Sequence, residues 1–475
     1  MNRSKLHVHF MGICGSGCAA IAVLADEAGY RVSGCDQSTD SYYADALKKR
    51  GIRIEQGHDK AHLQDDVDIV AVSPALFDIN PDNEELKEAQ ERGILMTWEQ
   101  FMGEYLQKDK RVIAISGTHG KTTTTFLAAE MLIRGKKDPT VLGGSVYREW
   151  GSGGRPGKSD LFLCEADEFN RNFHHYKAEL AVLNNVEMDH PECYRDFEEV
   201  LESFRTFVLG SGKLKTVLFN GDSEGAVEVV RRCAKSPEFQ GIRVIAFVKD
   251  NEKDFPDIFY PIEQIIYRIN SRGTLGTTFS IIQNHVSVSF LMKMYGDYNV
   301  ANAVCATMIS RLSDVPDNVI EEVLASFRGV SRRFDPVGAF RGIPVYDDYA
   351  HHPTEIRSVL SMCRDYFSGK KVVAIFEPHQ VSRLRLMFDG YVDALTIADH
   401  VIVGKTHIGR EIHKNVNPIT NEEWTQASGK ILYEEVPEEI AKLVSSFIDQ
   451  GECDIIVVIG AANSYKLSRF LCQRA

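Results

Sequence analysis

The stretch Val112-Ile-Ala-Ile-Ser-Gly-Thr-His-Gly-Lys-Thr-Thr-Thr-Thr125 decides the fold, because it joins a buried strand to a helix through a glycine- and threonine-rich loop. Glycines in the loop allow backbone N–H groups to turn inward around phosphate oxygens. Lys121 supplies a charge for the β- and γ-phosphates, and Thr122 a hydroxyl for Mg²⁺. The order of strand, loop, lysine and helix predicts ATP binding, although the spacing is shorter than in G-x-x-x-x-G-K-[ST]. The predicted ATP contacts here are Gly117, Thr118, His119, Gly120, Lys121, Thr122 and Thr123.

The composition around this loop is that of an ordinary globular protein. A chain of 475 residues predicts two to four domains. The net charge of -13 argues against nucleic-acid or anionic-membrane partners. The 10 cysteines form no CxxC pair, which favours reduced thiols. Without a signal-peptide pattern or a long apolar run, the sequence predicts a cytoplasmic protein with no membrane insertion.

Strands and helices alternate on both sides of the loop, which predicts parallel α/β sheets in three domains. The boundaries are expected at 108/109, within the charged stretch Gln107–Arg111, and at 328/329. The fold class is therefore a Rossmann-like N-terminal domain (1–108), a central phosphate-loop ATPase-type domain (109–328) and a Rossmann-like C-terminal domain (329–475). Alternation between about 250 and 295 predicts a small antiparallel insertion. The clearest predicted strands are Leu6–Phe10, Arg31–Cys35, Asp68–Val72, Val112–Ile115, Leu161–Cys164, Leu180–Leu183, Val372–Phe376, Val401–Val403 and Ile455–Ile459.

Two acidic segments follow neighbouring central strands, Glu165-Ala-Asp-Glu168 and Glu187-Met-Asp-His190. Ligands bind beyond the carboxyl ends of parallel strands, so both segments are placed near the phosphate loop. Carboxylates and a neutral imidazole can hold a divalent ion beside a triphosphate. Asp167, Glu168 and Asp189 are weaker candidates for this role.

The glycine turn Gly12-Ile-Cys-Gly-Ser-Gly17 lies between the first strand and a helix and is suited to bind a pyrophosphate. Asp36, after the second strand, is placed to contact a ribose hydroxyl. By residue types alone, NAD binding and binding of another nucleotide remain equally open. An NAD-dependent oxidoreductase would leave the central phosphate loop unexplained.

The segment Gly117-Thr-His-Gly-Lys-Thr-Thr123 resembles the ATP loop of the Mur ligase family, and the resemblance extends over all three regions. It implies an ATP- and Mg²⁺-dependent ligase that forms an amide through an acyl phosphate. It also implies that Thr122, Glu165 and His190 hold the metal ion. The implied contacts to a UDP-sugar are Gly12, Gly15, Ser16, Gly17, Asp36, Ser73, His379 and Arg383.

Four later segments extend the resemblance. Gly296–Asn302 is similar to the family's adenine-contacting segment, with Tyr298 in place of the usual His. Arg332-Arg-Phe334 implies an arginine on the ATP phosphates, and Asp347–Thr354 matches D-D-Y-[GA]-H-H-P-T-E. In Phe376–Arg385, Gln380 replaces an expected Arg. The implied ATP contacts are Tyr298, Asn299, Asn302, Asp347 and Asp348, and the implied catalytic residues are Lys121, Arg332, Arg333 and His351.

The resemblance predicts that the chain joins L-alanine to the carboxylate of UDP-N-acetylmuramate in peptidoglycan precursor synthesis. The third region is most similar to alanine-adding members, whereas Thr97-Trp98 and Asn184-Asn185 are nearer to ligases that attach a murein tripeptide in cell-wall recycling. A nucleotide-gated binding protein with ATPase activity alone is the alternative from another class. The expected partners are these small substrates, and the expected state is a monomer or weak homodimer.

Overall fold

The computed structural model describes residues 6–474 except 40, 42, 257, 274, 409–416 and 462. Its N-terminal sheet has five parallel strands in the order β3-β2-β1-β4-β5. The glycine turn after β1 lies at the centre of this order. The elements are β1 His7–Met11, α1 Ser16–Glu27, β2 Arg31–Asp36, α2 Ala44–Lys49, β3 Arg53–Gln56, β4 Ile69–Val72, α3 Ala75–Ile79, α4 Glu84–Glu91, β5 Leu95–Thr97 and α5 Trp98–Phe101.

The central sheet has ten strands in the order β15-β14-β13-β12-β11-β10-β6-β9-β7-β8. The strand before the phosphate loop, β6, lies between β9 and β10, the two strands that lead into the acidic segments. The elements are β6 Arg111–Ser116, α6 Lys121–Arg134, β7 Thr140–Tyr147, β8 Ser152–Arg155, β9 Leu161–Ala166, β10 Ala178–Leu183, α7 Phe197–Gly210, β11 Thr216–Asn220, α8 Glu224–Cys233, β12 Arg243–Lys249, β13 Ile262–Gly273, β14 Gly276–Gln283, β15 Val286–Met292, α9 Asp297–Leu312 and α10 Asp317–Ser326.

The C-terminal sheet has six strands in the order β16-β17-β21-β18-β19-β20. All pairs are parallel except β16–β17. The elements are β16 Asp335–Phe340, β17 Ile343–Asp348, α11 Pro353–Tyr366, β18 Val372–Phe376, α12 Val381–Leu386, α13 Phe388–Leu395, β19 His400–Val403, α14 Asn421–Ala427, β20 Ile431–Tyr433, α15 Pro437–Asp449, β21 Ile455–Ile459 and α16 Ser464–Gln473.

The predicted fold class is confirmed: three α/β domains follow one another along the chain. The nine predicted strands are present, and none of their ends is displaced by more than two residues. Apart from β2, which is partly exposed, their β-branched and aliphatic runs are buried on both faces, as parallel strands between helix layers require. Within the described part of the chain, no helix is both long enough and apolar enough to cross a bilayer.

The segment from about 250 to 295 differs from its prediction in one respect. Its strands β13, β14 and β15 are antiparallel to one another, as expected. They are not a separate insertion, however, because β13 pairs in parallel with β12. The three strands therefore extend the central sheet, since an edge strand with free N–H and C=O groups can continue a ladder in either direction.

Candidate active-site cleft

The phosphate loop is held in shape by contacts that only glycine permits. Gly117 and Gly120 have φ angles of 139° and 80°, in the region that L side chains avoid. A Cβ on Gly120 would collide with the amide oxygen of Asn302. The Thr118 N–H donates to the Asn185 carbonyl (3.2 Å), so this donor is taken. The donors left for a phosphate are those at the N-terminus of α6, where N–H groups have no intrahelical partner.

Lys121 is buried among carboxylates at this helix start. Its Nζ donates to Glu168 Oε2 (2.7 Å) and to the Gly117 carbonyl (2.6 Å). Burial alone would lower the pKa of Lys121, but Glu168, Asp167 and Glu165 raise it well above its ordinary value. Burial raises the pKa of Glu168 despite the lysine. The lysine is thus a permanent cation at the mouth of the loop, available to phosphate oxygens.

The predicted metal ligands line the same cavity but fall into two groups. Thr122 Oγ1 donates a hydrogen bond to Glu165 Oε2 (2.9 Å), and the Gly144 N–H donates a second one to the same oxygen (2.7 Å). The second group is His190 with Asp167 and Glu168, whose donor atoms lie within 4.8 Å of one another. Glu165 is not a member of this group. Hard carboxylate oxygens, a hydroxyl and an imidazole nevertheless fit Mg²⁺, which keeps several waters and can bridge separated ligands.

His190 also belongs to a buried charge network that spans two domains. Arg383 Nη2 lies 2.9 Å from Asp189 Oδ1 and 3.3 Å from His190 Nδ1. Burial would raise the pKa of Asp189, but His190 and Arg383 hold it far below its ordinary value. Glu192 lies 3.2 Å from His190 Nδ1 and accepts a 3.3 Å hydrogen bond from the Gln380 amide. Gln380, which replaces an expected arginine, therefore contacts the protein's own acidic network.

Two large cavities meet at the phosphate loop. One has a volume of about 950 Å³ and lies between the central and C-terminal domains. The other has a volume of about 1170 Å³ and is lined by all three domains. Both are lined by Gly120, Arg333 and Glu355. The two cavities therefore adjoin at the phosphate loop and at Arg333.

The smaller cavity is lined by most of the residues that were predicted to contact ATP. Asn302 connects this group to the loop, since Thr124 Oγ1 donates to its amide oxygen (3.3 Å). Asn299 is held by a 2.8 Å hydrogen bond from its amide to the Tyr295 carbonyl. The predicted ATP residues that line it are His119, Gly120, Thr123, Tyr298, Asn299, Asn302 and Asp348.

The larger cavity collects the residues predicted for the UDP-sugar, the metal ion and catalysis. Gly12, Asp36 and Gly117 do not line either cavity. Asp36 lies behind the glycine turn, where its carboxylate accepts the Cys14 N–H (2.9 Å). Besides Gly120 and Arg333, the predicted residues that line it are Gly15, Ser16, Gly17, Ser73, Thr118, Lys121, Thr122, Glu165, His190, Arg332, Asp347, His351, His379 and Arg383. The weaker metal candidates Asp167, Glu168 and Asp189 line it as well.

The two arginines at the start of the C-terminal domain lie in different surroundings. Arg333 lines both cavities, and its guanidinium is 3.5 Å from Glu355. Arg332 lines only the larger one and lies 3.3 Å from Asp347. Burial raises the pKa of Asp347 to about 6, although Arg332 opposes the shift. Arg333 is therefore the arginine of this pair that lies beside both cavities.

The phosphate loop also contacts the C-terminal domain directly. His119 Nδ1 lies 3.2 Å from Glu355 Oε1, and Thr354 Oγ1 donates to Glu187 at 2.8 Å. Burial would lower the pKa of His119, but Glu187 and Glu355 raise it to about 10. Burial lowers the pKa of the neighbouring His351 to about 4. These contacts close one domain over the loop that the other carries.

Among the cavity residues around the phosphate loop, Asn185, Glu187 and Glu355 were not predicted as site residues, and Glu168 was only a weaker candidate for the metal. Signals existed for all of these except Asn185. Glu355 is the final Glu of the D-D-Y-[GA]-H-H-P-T-E pattern, and Glu168 and Glu187 lie in the two acidic segments. Asn185 had no signal of a role in the loop, since its hydrogen bond to the His119 N–H (2.7 Å) depends on the packing of β10 beside β6.

This fold and cleft define a class: a three-domain α/β enzyme with two cavities that adjoin at a phosphate loop. Residues 7–110 match the Mur ligase family, catalytic domain; 115–310 match the Mur ligase middle domain; and 332–462 match the Mur ligase, glutamate ligase domain. The UDP-N-acetylmuramate–L-alanine ligase of Aquifex aeolicus is 33% identical over 461 residues, covering 96% of this chain and 95% of that protein. The UDP-N-acetylmuramate–L-alanine ligase of Brucella ovis is 33% identical over 485 residues, covering 98% of this chain and 98% of that protein.

Solved structures show the same fold. The UDP-N-acetylmuramate-alanine ligase of Thermotoga maritima superposes with a TM-score of 0.76 at 23% identity, covering 99% of both chains. A murein peptide ligase from Psychrobacter arcticus has a TM-score of 0.69 at 22% identity, covering 99% of this chain and 98% of its own. The chain belongs to the Mur ligase family, and it is an ATP-dependent ligase.

Proposed function

We propose that this ligase joins L-alanine to the carboxylate of UDP-N-acetylmuramate in the cytoplasm, as a step of peptidoglycan precursor synthesis. The observation that carries the proposal is the meeting of two large cavities at Gly120, Arg333 and Glu355. One substrate must present a carboxylate to a γ-phosphate there. The names of the relatives from Aquifex aeolicus and Brucella ovis supply the choice of sugar acid and amine.

An amine cannot displace an oxygen from a free carboxylate, because oxide is a poor leaving group. The carboxylate must therefore be phosphorylated first. A carboxylate oxygen attacks the γ-phosphorus of ATP, the bond to the bridging oxygen breaks, and ADP leaves with that electron pair. The amine then attacks the acyl phosphate, loses a proton, and expels phosphate as the amide forms. Charge accumulates on the γ-phosphoryl oxygens, so catalysis depends on positioning and on cations, here Lys121 and Arg333.

We assign the three domains separate parts of this reaction. Residues 1–108 bind the UDP-sugar at the glycine turn, 109–328 bind ATP, and 329–475 bind the amino acid and close the cleft. Support for closure comes from the Thr354–Glu187 and His119–Glu355 contacts between the last two domains. Closure would exclude water, which otherwise hydrolyses the acyl phosphate.

We also propose that Thr122, Glu165 and His190 hold Mg²⁺, with Asp167 and Glu168 as further donors beside His190. The ion would neutralise charge on the β- and γ-phosphates. The donor chemistry supports the assignment, since all of these side chains line the larger cavity next to Lys121.

Phosphate release from ATP tests the proposal with UDP-N-acetylmuramate and four amines: alanine, serine, glycine and the tripeptide L-alanyl-γ-D-glutamyl-meso-diaminopimelate. We expect alanine to be fastest. Serine and glycine should be slower, since an amine pocket discriminates by about 1–3 kcal/mol per methylene-sized difference. If phosphate release is fastest with the tripeptide, the amine substrate is the tripeptide and not alanine, and the chain is still a Mur ligase. Release that is independent of sugar acid and amine would replace ligation by ATPase activity alone.

A further inference from the structure

A buried cluster of metal-ligating side chains lies in the N-terminal domain, away from the cleft. It consists of His9 on β1, Cys35 on β2, His62 at the end of the short turn Lys60–His62, and Glu85 in the first turn of α4. One donor atom from each lies within 4.8 Å of every other. Three separate chain segments and a helix start therefore converge on one point.

The separations between these donors are close to those of ligands around one ion. His9 Nε2 lies 3.0 Å from Glu85 Oε1, and Cys35 Sγ lies 3.2 Å from Glu85 Oε2. His62 Nδ1 lies 3.5 Å from Glu85 Oε1. With zinc bonds of about 2.0–2.3 Å at tetrahedral angles, donor atoms lie about 3.3–3.7 Å apart. Small side-chain rotations would place all four at bonding distance.

The charge of the cluster calls for a cation. The side chains of Glu85 and His9 are fully buried. Among the described residues, the ion-pair partners of Glu85 are all histidines: His9, His58 and His62. A buried carboxylate is costly unless it is paired or coordinates a metal. A thiol beside imidazoles favours Zn²⁺ over Mg²⁺, because soft sulfur ligands select zinc.

The surroundings orient the ligands as in a built metal site. His9 Nδ1 contacts Ser33 Oγ at 2.9 Å, which turns Nε2 toward Glu85. Such outer contacts fix the orientation of ligating imidazoles. The Glu85 N–H donates to Asn83 Oδ1 (2.9 Å), which fixes the first turn of α4. His62 is the partly exposed member and provides the route of entry.

We propose that His9, Cys35, His62 and Glu85 bind one Zn²⁺ ion, and that His58 Nδ1, 3.0 Å from Cys35 Sγ, orients the sulfur ligand. This site is separate from the Mg²⁺–ATP site and supports the fold of the N-terminal domain.

The zinc site would also brace the glycine turn that lines the larger cavity. The Cys35 carbonyl accepts the N–H groups of Gly12 (2.9 Å) and Ile13 (3.1 Å). The next residue, Asp36, accepts the Cys14 N–H. Fixing Cys35 therefore fixes the backbone of the turn, since these three hydrogen bonds hold its first half.

Cobalt substitution of the full chain tests the proposal, because only a thiolate ligand gives near-ultraviolet sulfur-to-cobalt charge-transfer absorption. Of the three described donor clusters, this one alone contains a cysteine. We expect one tightly held Co²⁺ per chain with this absorption, displaced by Zn²⁺. Cys35→Ser should abolish the absorption, whereas Cys233→Ser, a change at a buried cysteine in α8, should not.

Ser33→Ala provides a second test that keeps all four ligands. The change removes the contact to His9 Nδ1 and, with it, a 2.8 Å contact to His7 Nε2, which is not one of the four ligands. Because the orienting contact to His9 is lost, zinc affinity should fall about 10- to 100-fold while the charge-transfer band remains. This measurement stands even if Cys35→Ser fails to fold. A protein that retains no stoichiometric Zn²⁺ or Co²⁺ after dialysis would overturn the proposal. So would a cobalt spectrum unchanged by Cys35→Ser.

Discussion

Replacing Lys121 by methionine should separate its electrostatic role in catalysis from its role in the fold. Lys121 Nζ lies 2.7 Å from Glu168 Oε2, and the two side chains are 11% and 3% exposed. Loss of one preorganised cation at a phosphoryl-transfer site costs about 100- to 1000-fold in turnover. Removing one partner of a buried pair also costs about 3–5 kcal/mol of stability. Proton uptake by Glu168 limits this second cost, since burial already raises its pKa.

The double variant Lys121→Met/Glu168→Gln removes both charges. Replacing a buried pair by neutral groups is close to neutral, so stability should return to within about 1–2 kcal/mol of the parent. Turnover should stay about 100- to 1000-fold low, because the missing charge on the phosphates is not restored. Stability and activity therefore respond differently to the second change.

Urea unfolding and phosphate release from ATP with UDP-N-acetylmuramate and alanine measure the two effects. Lys110→Met is the matched control, since Lys110 lies in the same domain and donates to the Ser159 carbonyl (2.7 Å). The control should keep near-parental turnover. Recovery of turnover in the double variant would refute the reasoning, because Lys121 would then serve only to neutralise Glu168.

Three further predictions address the metal, the pH dependence and domain closure. Glu165→Ala and His190→Ala should each raise the Mg²⁺ concentration for half-maximal activity; parental magnesium titrations in both would make these residues structural. The pKa of His351 is lowered from 6.5 to about 4 by burial, so the stability it contributes is present above pH 6.5 and is lost as pH falls toward 4. This contribution to the free energy of unfolding is up to about 3 kcal/mol. His351→Gln should therefore flatten the dependence of the unfolding free energy on pH between 6.5 and 4. An unchanged dependence would contradict the buried, neutral state of His351. Thr354→Val removes the hydrogen bond to Glu187 between domains and should raise the KM for ATP up to about tenfold, whereas Thr354→Ser should not; equal KM values in both variants would show that the contact does not assist closure.

The sequence by itself determined the fold class and the phosphate loop. Strand-like runs of three to five residues between helical patterns are a local signal, and both ends of each run lie within two residues of the ends of an observed strand. The loop is also local, since its two glycines, lysine and threonines follow one another directly. The antiparallel character of 262–292 was readable in the alternation, but its attachment to β12 was not, because strand pairing joins distant segments.

Only the tertiary structure decided which side chains meet. Asp36 is the last residue of β2, where a ribose-binding carboxylate is expected, yet its carboxylate accepts the Cys14 N–H behind the glycine turn. Glu355 reaches the phosphate loop only because α11 packs across the domain interface. The cluster around Glu85 likewise combines residues from β1, β2 and α4. Local patterns fix where strands, turns and helices begin, whereas the contacts between distant residues depend on how the sheets and domains pack.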